Sequence, residues 1–126
     1  MTEDRFRILI TGSRNWLDPT KIQAELEAVM VKYGPLPYTV VHGGAVGADL
    51  MAAHAAEVLG EKYDIEIEEH PADWSLGRAA GPIRNQYMVD LGAHVCLAFI
   101  RNNSAGASHC RDACYEAGIP VRQFTY

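Results

Sequence analysis

A chain of 126 residues, 48% of them hydrophobic, carries enough apolar material for one core and has no room for a second domain, so a single unit over residues 1–126 is expected. Eleven Lys and Arg against 16 Asp and Glu give a formal net charge of -5, which argues against broad attraction to a nucleic-acid backbone but still permits a local basic cluster that holds one small anion. Three cysteines without a secreted-scaffold pattern, a polar N-terminus and the absence of any apolar run near the roughly 20 residues that span a bilayer point to a soluble cytoplasmic protein with no membrane partner.

Short runs rich in branched residues alternate with segments of helical period, the pattern of repeated βα units around a mainly parallel sheet. The first strand is expected over residues 7–11, closed by Gly12 and Ser13. A helix follows from Asp18-Pro19, an N-cap residue with proline at the first helical position, carries Ile22, Leu26, Val29 and Met30 on one face, and ends before Gly34-Pro35. The second strand spans residues 38–42, and a helix over about 48–59 is closed by Gly60. Residues 65–70 alternate with period two, which suggests a strand with one solvated face near the edge of the sheet. Residues 72–81 form a loop, and a third helix over about 82–91 presents Ile83, Tyr87 and Met88. Residues 94–100 are almost continuously apolar, as in a strand buried on both faces. A polar loop over 101–104, a last helix over about 107–117 and a fifth strand over 119–124 complete an α/β chain, expected to form a Rossmann-like three-layer sandwich with a five-stranded sheet.

In such a sheet every loop that follows a strand lies at one edge, and ligands bind there where the strand order reverses. The chemically distinctive residues fall in these loops. Residues 43–47, Gly-Gly-Ala-Val-Gly, have the features of an anion cradle, since Gly43, Gly44 and Gly47 allow close backbone approach and a helix start offers unpaired N–H groups. His42 borders this loop. Asp49 lies in the first turn of the next helix, as a dipole-favoured acid, a contact to ribose hydroxyls or an activator of water. Ser13 and Arg14, directly after the first strand beside Gly12, offer a hydroxyl and a guanidinium to a phosphate. Arg84 and Asn85 form a second polar pair, whereas Arg78 reads as exposed surface. Trp16 and Trp74 both occupy these loops, either as packing anchors or as rings for a ligand to stack on. His109, Cys110 and Cys114 match no standard zinc spacing, and neither a metal nor a cofactor is expected.

Several spaced motifs together are similar to a known family. Residues 11–14 (Thr-Gly-Ser-Arg), the stretch from His42 to Asp49, Trp74 with residues 80–85 and Met88, and residues 117–121 occur in the order found in the YspA, cpYpsA-related branch of the SLOG superfamily, which the chain resembles over nearly its whole length. That superfamily consists of Rossmann-like domains and includes LOG-type nucleotide phosphoribohydrolases and the DNA-processing protein DprA. The resemblance implies a site for a nucleotide or nucleotide-derived molecule, to which Gly106 and Ser108 of the late loop would contribute. LOG-type enzymes carry Pro-Gly-Gly-x-Gly-Thr-x-x-Glu, whose glutamate and an arginine serve hydrolysis of the N-glycosidic bond. Here residues 104–110 keep Gly106 but have no glutamate at the matching position, and Ala107 replaces the threonine.

Two functions stay open at this point. One is hydrolysis of a nucleotide N-glycosidic bond, with Asp49 and Arg84 as the candidate catalytic residues. The other is a non-catalytic module that senses or sequesters a nucleotide-derived signal. A DprA-like single-strand DNA binder ranks last, because the balance is acidic and no basic, aromatic track is evident. Related Rossmann-like proteins commonly dimerise, so a homo-oligomer is a candidate assembly.

Overall fold

The computed structural model describes residues 4–125. Its strands are β1 (Phe6–Gly12), β2 (Tyr38–His42), β3 (Ile65–Glu69), β4 (Val95–Ile100) and β5 (Val121–Thr125), and its α-helices are α1 (Pro19–Tyr33), α2 (Ala48–Leu59), α3 (Ala80–Asp90) and α4 (Ala105–Glu116). A short 3-10 segment, Trp74–Ala79, precedes α3. All strand pairs are parallel, in the order β3-β2-β1-β4-β5.

Alternation along the strands separates two apolar layers. Ile8, Ile10, Tyr38, Val40, Leu97 and Phe99 point towards α1 and α2. Leu9, Val41, Cys96, Ala98 and Ile100 point towards α3 and α4. The result is a Rossmann-like three-layer sandwich. Local signals set the boundaries: the Asp18 side chain accepts from the Lys21 N–H at 3.2 Å to cap α1, Pro19 opens the helix, and Gly34 closes it at φ +83°. β3 sits at an edge of the sheet, and β4 is buried along its whole length between β1 and β5.

Three expectations need correction. The segment 72–81 is not plain loop, since it holds the 3-10 turn and the start of α3. On α3, Ile83 and Tyr87 are exposed while Asn85, Met88 and Val89 are buried. Asn85 can be buried because its amide is satisfied by Arg84, Gly106 and His109. β5 begins at Val121, because Pro120 has no N–H for a ladder; its carbonyl instead accepts from the Cys96 N–H at 2.8 Å.

The order of the strands places the functional edge. From β1 the chain moves outward through β2 and β3, then crosses to β4 and β5, so the order reverses between β1 and β4. The loops after these two strands therefore flank a crevice at the C-terminal edge of the sheet.

Candidate functional site

A cavity of about 540 Å³ occupies that crevice. Gly12 and Arg14 after β1, Asp49 on α2, Trp74, Arg84 and Asn85 from the segment before and within α3, and Gly106 on α4 all line it. Arg78 and Arg101 line it too, although the sequence pattern marks the first as surface and gives the second no distinguishing motif. The available signal was positional, since both lie in segments that follow strands.

The electrostatics of the cavity oppose those of the chain. Four of the 11 Lys and Arg residues, Arg14, Arg78, Arg84 and Arg101, stand around it, and Asp49 is the one acid in its lining. Arg84 is held at two of its guanidinium nitrogens: Nη1 donates to the Gly43 carbonyl at 2.7 Å and Nε to Asn85 Oδ1 at 2.9 Å. Arg14 is exposed, with its guanidinium carbon 5.6 Å from the centroid of the Trp74 ring.

The glycine loop corrects the sequence-based picture of an anion cradle. The Gly43 and Ala45 N–H groups donate to Asp49 Oδ2 at 3.1 and 3.2 Å, and the Gly44 N–H donates to His42 Nδ1 at 2.9 Å. Three consecutive donors are thus spent inside the protein. Because His42 Nδ1 accepts, the ring proton sits on Nε2, 3.9 Å from Glu69 Oε1, and burial lowers the His42 pKa so that the ring is neutral. The glycines serve packing. A Cβ at Gly43 would collide with the Arg84 guanidinium, and Gly47, at φ +85°, lies against the backbone of Ser13 and Arg14.

The first turn of α4 behaves in the opposite way. Ser104, its N-cap residue, makes no side-chain capping bond, and the N–H groups of residues 105–107 meet no acceptor among the described residues. Residues 104–107 line the cavity, so these donors and the positive end of the helix face it. A Cβ on Gly106 would meet open space.

Asp49 is the carboxylate between these features, with 6% of its surface exposed. Oδ2 holds the glycine loop, while Oδ1 is buried with no hydrogen-bond partner among the described residues. Burial pushes its pKa up to about 6, against the pull of the Ala45 N–H, Arg84 and the Gly43 N–H. Near it, Cys110 is fully buried. Its hydrogen bond with Cys114, together with burial, drives the thiol pKa far above the ordinary range, so it stays protonated.

Several expected site residues lie elsewhere. Trp16, 2% exposed, packs edge-on against Phe99 and donates Nε1–H to the Asp18 carbonyl, which makes it a core anchor. Trp74, 57% exposed, is the tryptophan at the cavity. Ser13 is fully buried, and its hydroxyl accepts from the Arg101 N–H at 2.8 Å and donates to the Arg101 carbonyl at 3.3 Å. It clasps two loops together instead of facing a ligand. His42, Gly47 and Ser108, the last half-buried on α4, are outside the cavity lining. Among the described residues, no group of three or more His, Cys, Asp or Glu side chains is placed to hold a metal, and no helix is long and apolar enough to cross a membrane.

The fold and the crevice define a Rossmann-like α/β protein with a cation-rich cavity at its strand-order reversal. The chain belongs to the YspA, cpYpsA-related SLOG family, whose model matches residues 6–77. It is similar to the Gene 61 protein of Mycobacterium phage D29, with 45% identity over 120 residues, covering 94% of this chain and 95% of that protein. Membership of the family points to a nucleotide-related ligand in general.

Proposed function

We propose that the chain binds a nucleotide-derived phosphorylated ligand in the 540 Å³ cavity, with its phosphate on the arginines and the open first turn of α4, and with a ligand hydroxyl donating to Asp49 Oδ1. The observation that carries this reading is the reversal of charge: a chain of net charge -5 gathers four arginines around one cavity. Guanidinium groups and free helical N–H groups are the donors that phosphate oxygens require. Lost hydrogen bonds to charged groups cost roughly 1.5–3 kcal/mol, so a nucleoside monophosphate should bind about tenfold or more tightly than its nucleoside.

A second reading, hydrolysis of the N-glycosidic bond, is favoured by Asp49 itself. Its pKa of about 6 suits proton transfer near neutral pH, and Oδ1 has no protein partner to compete for it. The role of Arg84 would then be to stabilise the ionised carboxylate.

Titration with adenosine, AMP and ADP and their guanosine counterparts, followed through the exposed Trp74, tests the first reading. Equal affinity for nucleoside and nucleotide would defeat it, as would no binding at all. Arg14→Ala should narrow the gap between them. Mass spectrometry of the same mixtures for released base decides the second reading, and Asp49→Asn should abolish any release while nucleotide is still bound.

A further inference from the structure

A second cavity, of about 380 Å³, adjoins the first on the side of the glycine loop. The two share Arg14, Ala45, Trp74 and Arg84 in their walls. Their other walls differ in chemistry. The larger has Arg78, Arg101 and the open turn of α4. The smaller has Val46, Pro71 and Ala72 and the backbone of Gly43 and Gly44.

We infer that the ligand is two-ended, with two moieties flanking a diphosphate, one in each cavity, and the diphosphate at the shared wall between Arg14 and Arg84. This rests on the nucleotide-binding proposal above and names the class of its ligand. Two cations border both compartments, so an anion held by them lies at the junction and not at the far end of either. Among the described residues, Arg84 Nη2 has no acceptor and the Arg14 side chain makes no hydrogen bond, standing instead over Trp74. Both retain donors for phosphate oxygens. A mononucleotide fills one compartment and leaves the other's surface wet. The smaller cavity suits a flat, weakly polar ring, since Trp74, Pro71 and Val46 offer apolar faces while three of the loop's N–H groups are already paired. The larger cavity, with its remaining arginines, free N–H groups and Asp49 Oδ1, suits a sugar that carries hydroxyls or a further phosphate.

Equilibrium dialysis of the full chain with AMP, ADP and diadenosine diphosphate, and with the guanosine counterparts, tests the inference. The dinucleoside diphosphate should bind at least about tenfold more tightly than the matching nucleoside diphosphate, because its second end binds without a second loss of translational freedom. Val46 is 61% exposed and lines the smaller cavity alone, so Val46→Trp should fold normally and return the dinucleoside diphosphate to the affinity of the nucleoside diphosphate. Equal or tighter binding of ADP than of diadenosine diphosphate, in both base series, overturns the two-ended ligand while leaving nucleotide binding intact. A preference that survives Val46→Trp overturns the use of the smaller cavity. If none of the compounds binds, the nucleotide reading falls and this inference falls with it.

Discussion

The loop after β2 and the loop after β4 invert what their sequences advertise. Residues 43–47 hold three glycines, yet the first three N–H groups of that loop are bound by Asp49 and His42. The β4 loop leads into α4 with one glycine, yet the first turn of that helix keeps its donors open to the cavity. Glycine marks where backbone must approach something closely, and the something need not be a ligand. In the first loop it is the Arg84 side chain and the backbone of Ser13 and Arg14; a Cβ added at Gly106 would meet no atom within 4 Å. Substitutions in the two loops should therefore part company, with the first loop failing in stability and the second in binding.

The sharpest break is expected at Gly47. A Cβ there would overlap the Arg14 backbone, and the residue sits at φ +85°. Left-handed strain of ~1–2 kcal/mol and overpacking of ~1–3 kcal/mol together make Gly47→Ala destabilising by about 4 kcal/mol. Urea denaturation with an unchanged m-value would measure it. A loss under 1 kcal/mol would mean that the loop tolerates bulk and that its glycines have another purpose.

Asp49, which ties the first loop down, should write itself into the pH dependence of stability. Its folded pKa of about 6 lies above its ordinary 3.8, so between these values the native state holds a proton that the unfolded chain releases. Stability contributed by this group is full below about pH 4 and declines as pH rises to 6, by roughly 3 kcal/mol for a shift of this size. Asn keeps a carbonyl oxygen for the Gly43 and Ala45 N–H groups and cannot ionise. The stability of Asp49→Asn relative to the parent should rise across that window, as read from chemical denaturation at pH 4, 5, 6 and 7. Parallel curves would show that Asp49 is not desolvated in the folded chain.

Ser13 joins the two sides of the crevice. Removing its hydroxyl takes away the side-chain acceptor of the part-buried Arg101 N–H, so Ser13→Ala should cost about 1–2 kcal/mol and speed amide exchange at Arg101. Unchanged exchange there would show that the β4 loop is held by other contacts.

How far the sequence revealed these features depended on whether the deciding interaction was local. The cap at Asp18-Pro19 and the stop at Gly34 are local, and the structure agrees with them, as it does with β3 at an edge of the sheet, although burial along β3 does not alternate and Ile67 is exposed. The two tryptophans carry the same side chain in two loops of the site edge, and only tertiary contact separates Trp16, packed on Phe99, from Trp74, beside Arg14. On α3, periodicity favoured Ile83 and Tyr87, but Asn85 is buried by partners 21 and 24 residues away. The four arginines were equally hard to group, because they come from separate segments and converge only through the strand order.

The smallest effect on stability is the most informative about binding. A Cβ on Gly106 meets nothing, and replacing a helical glycine with alanine is favourable by up to ~1 kcal/mol, so Gly106→Ala should leave the fold unchanged or slightly more stable. The same methyl group projects from the turn whose N–H groups are assigned to phosphate, and it should weaken nucleotide binding about tenfold through loss of hydrogen bonds to a charged group. Thermal melts and nucleotide titration of one sample read both quantities. Weaker folding would show that the turn is packed against protein, as Gly47 is. Unaltered folding with unaltered binding would remove phosphate from the first turn of α4 and leave the arginines as its only seat.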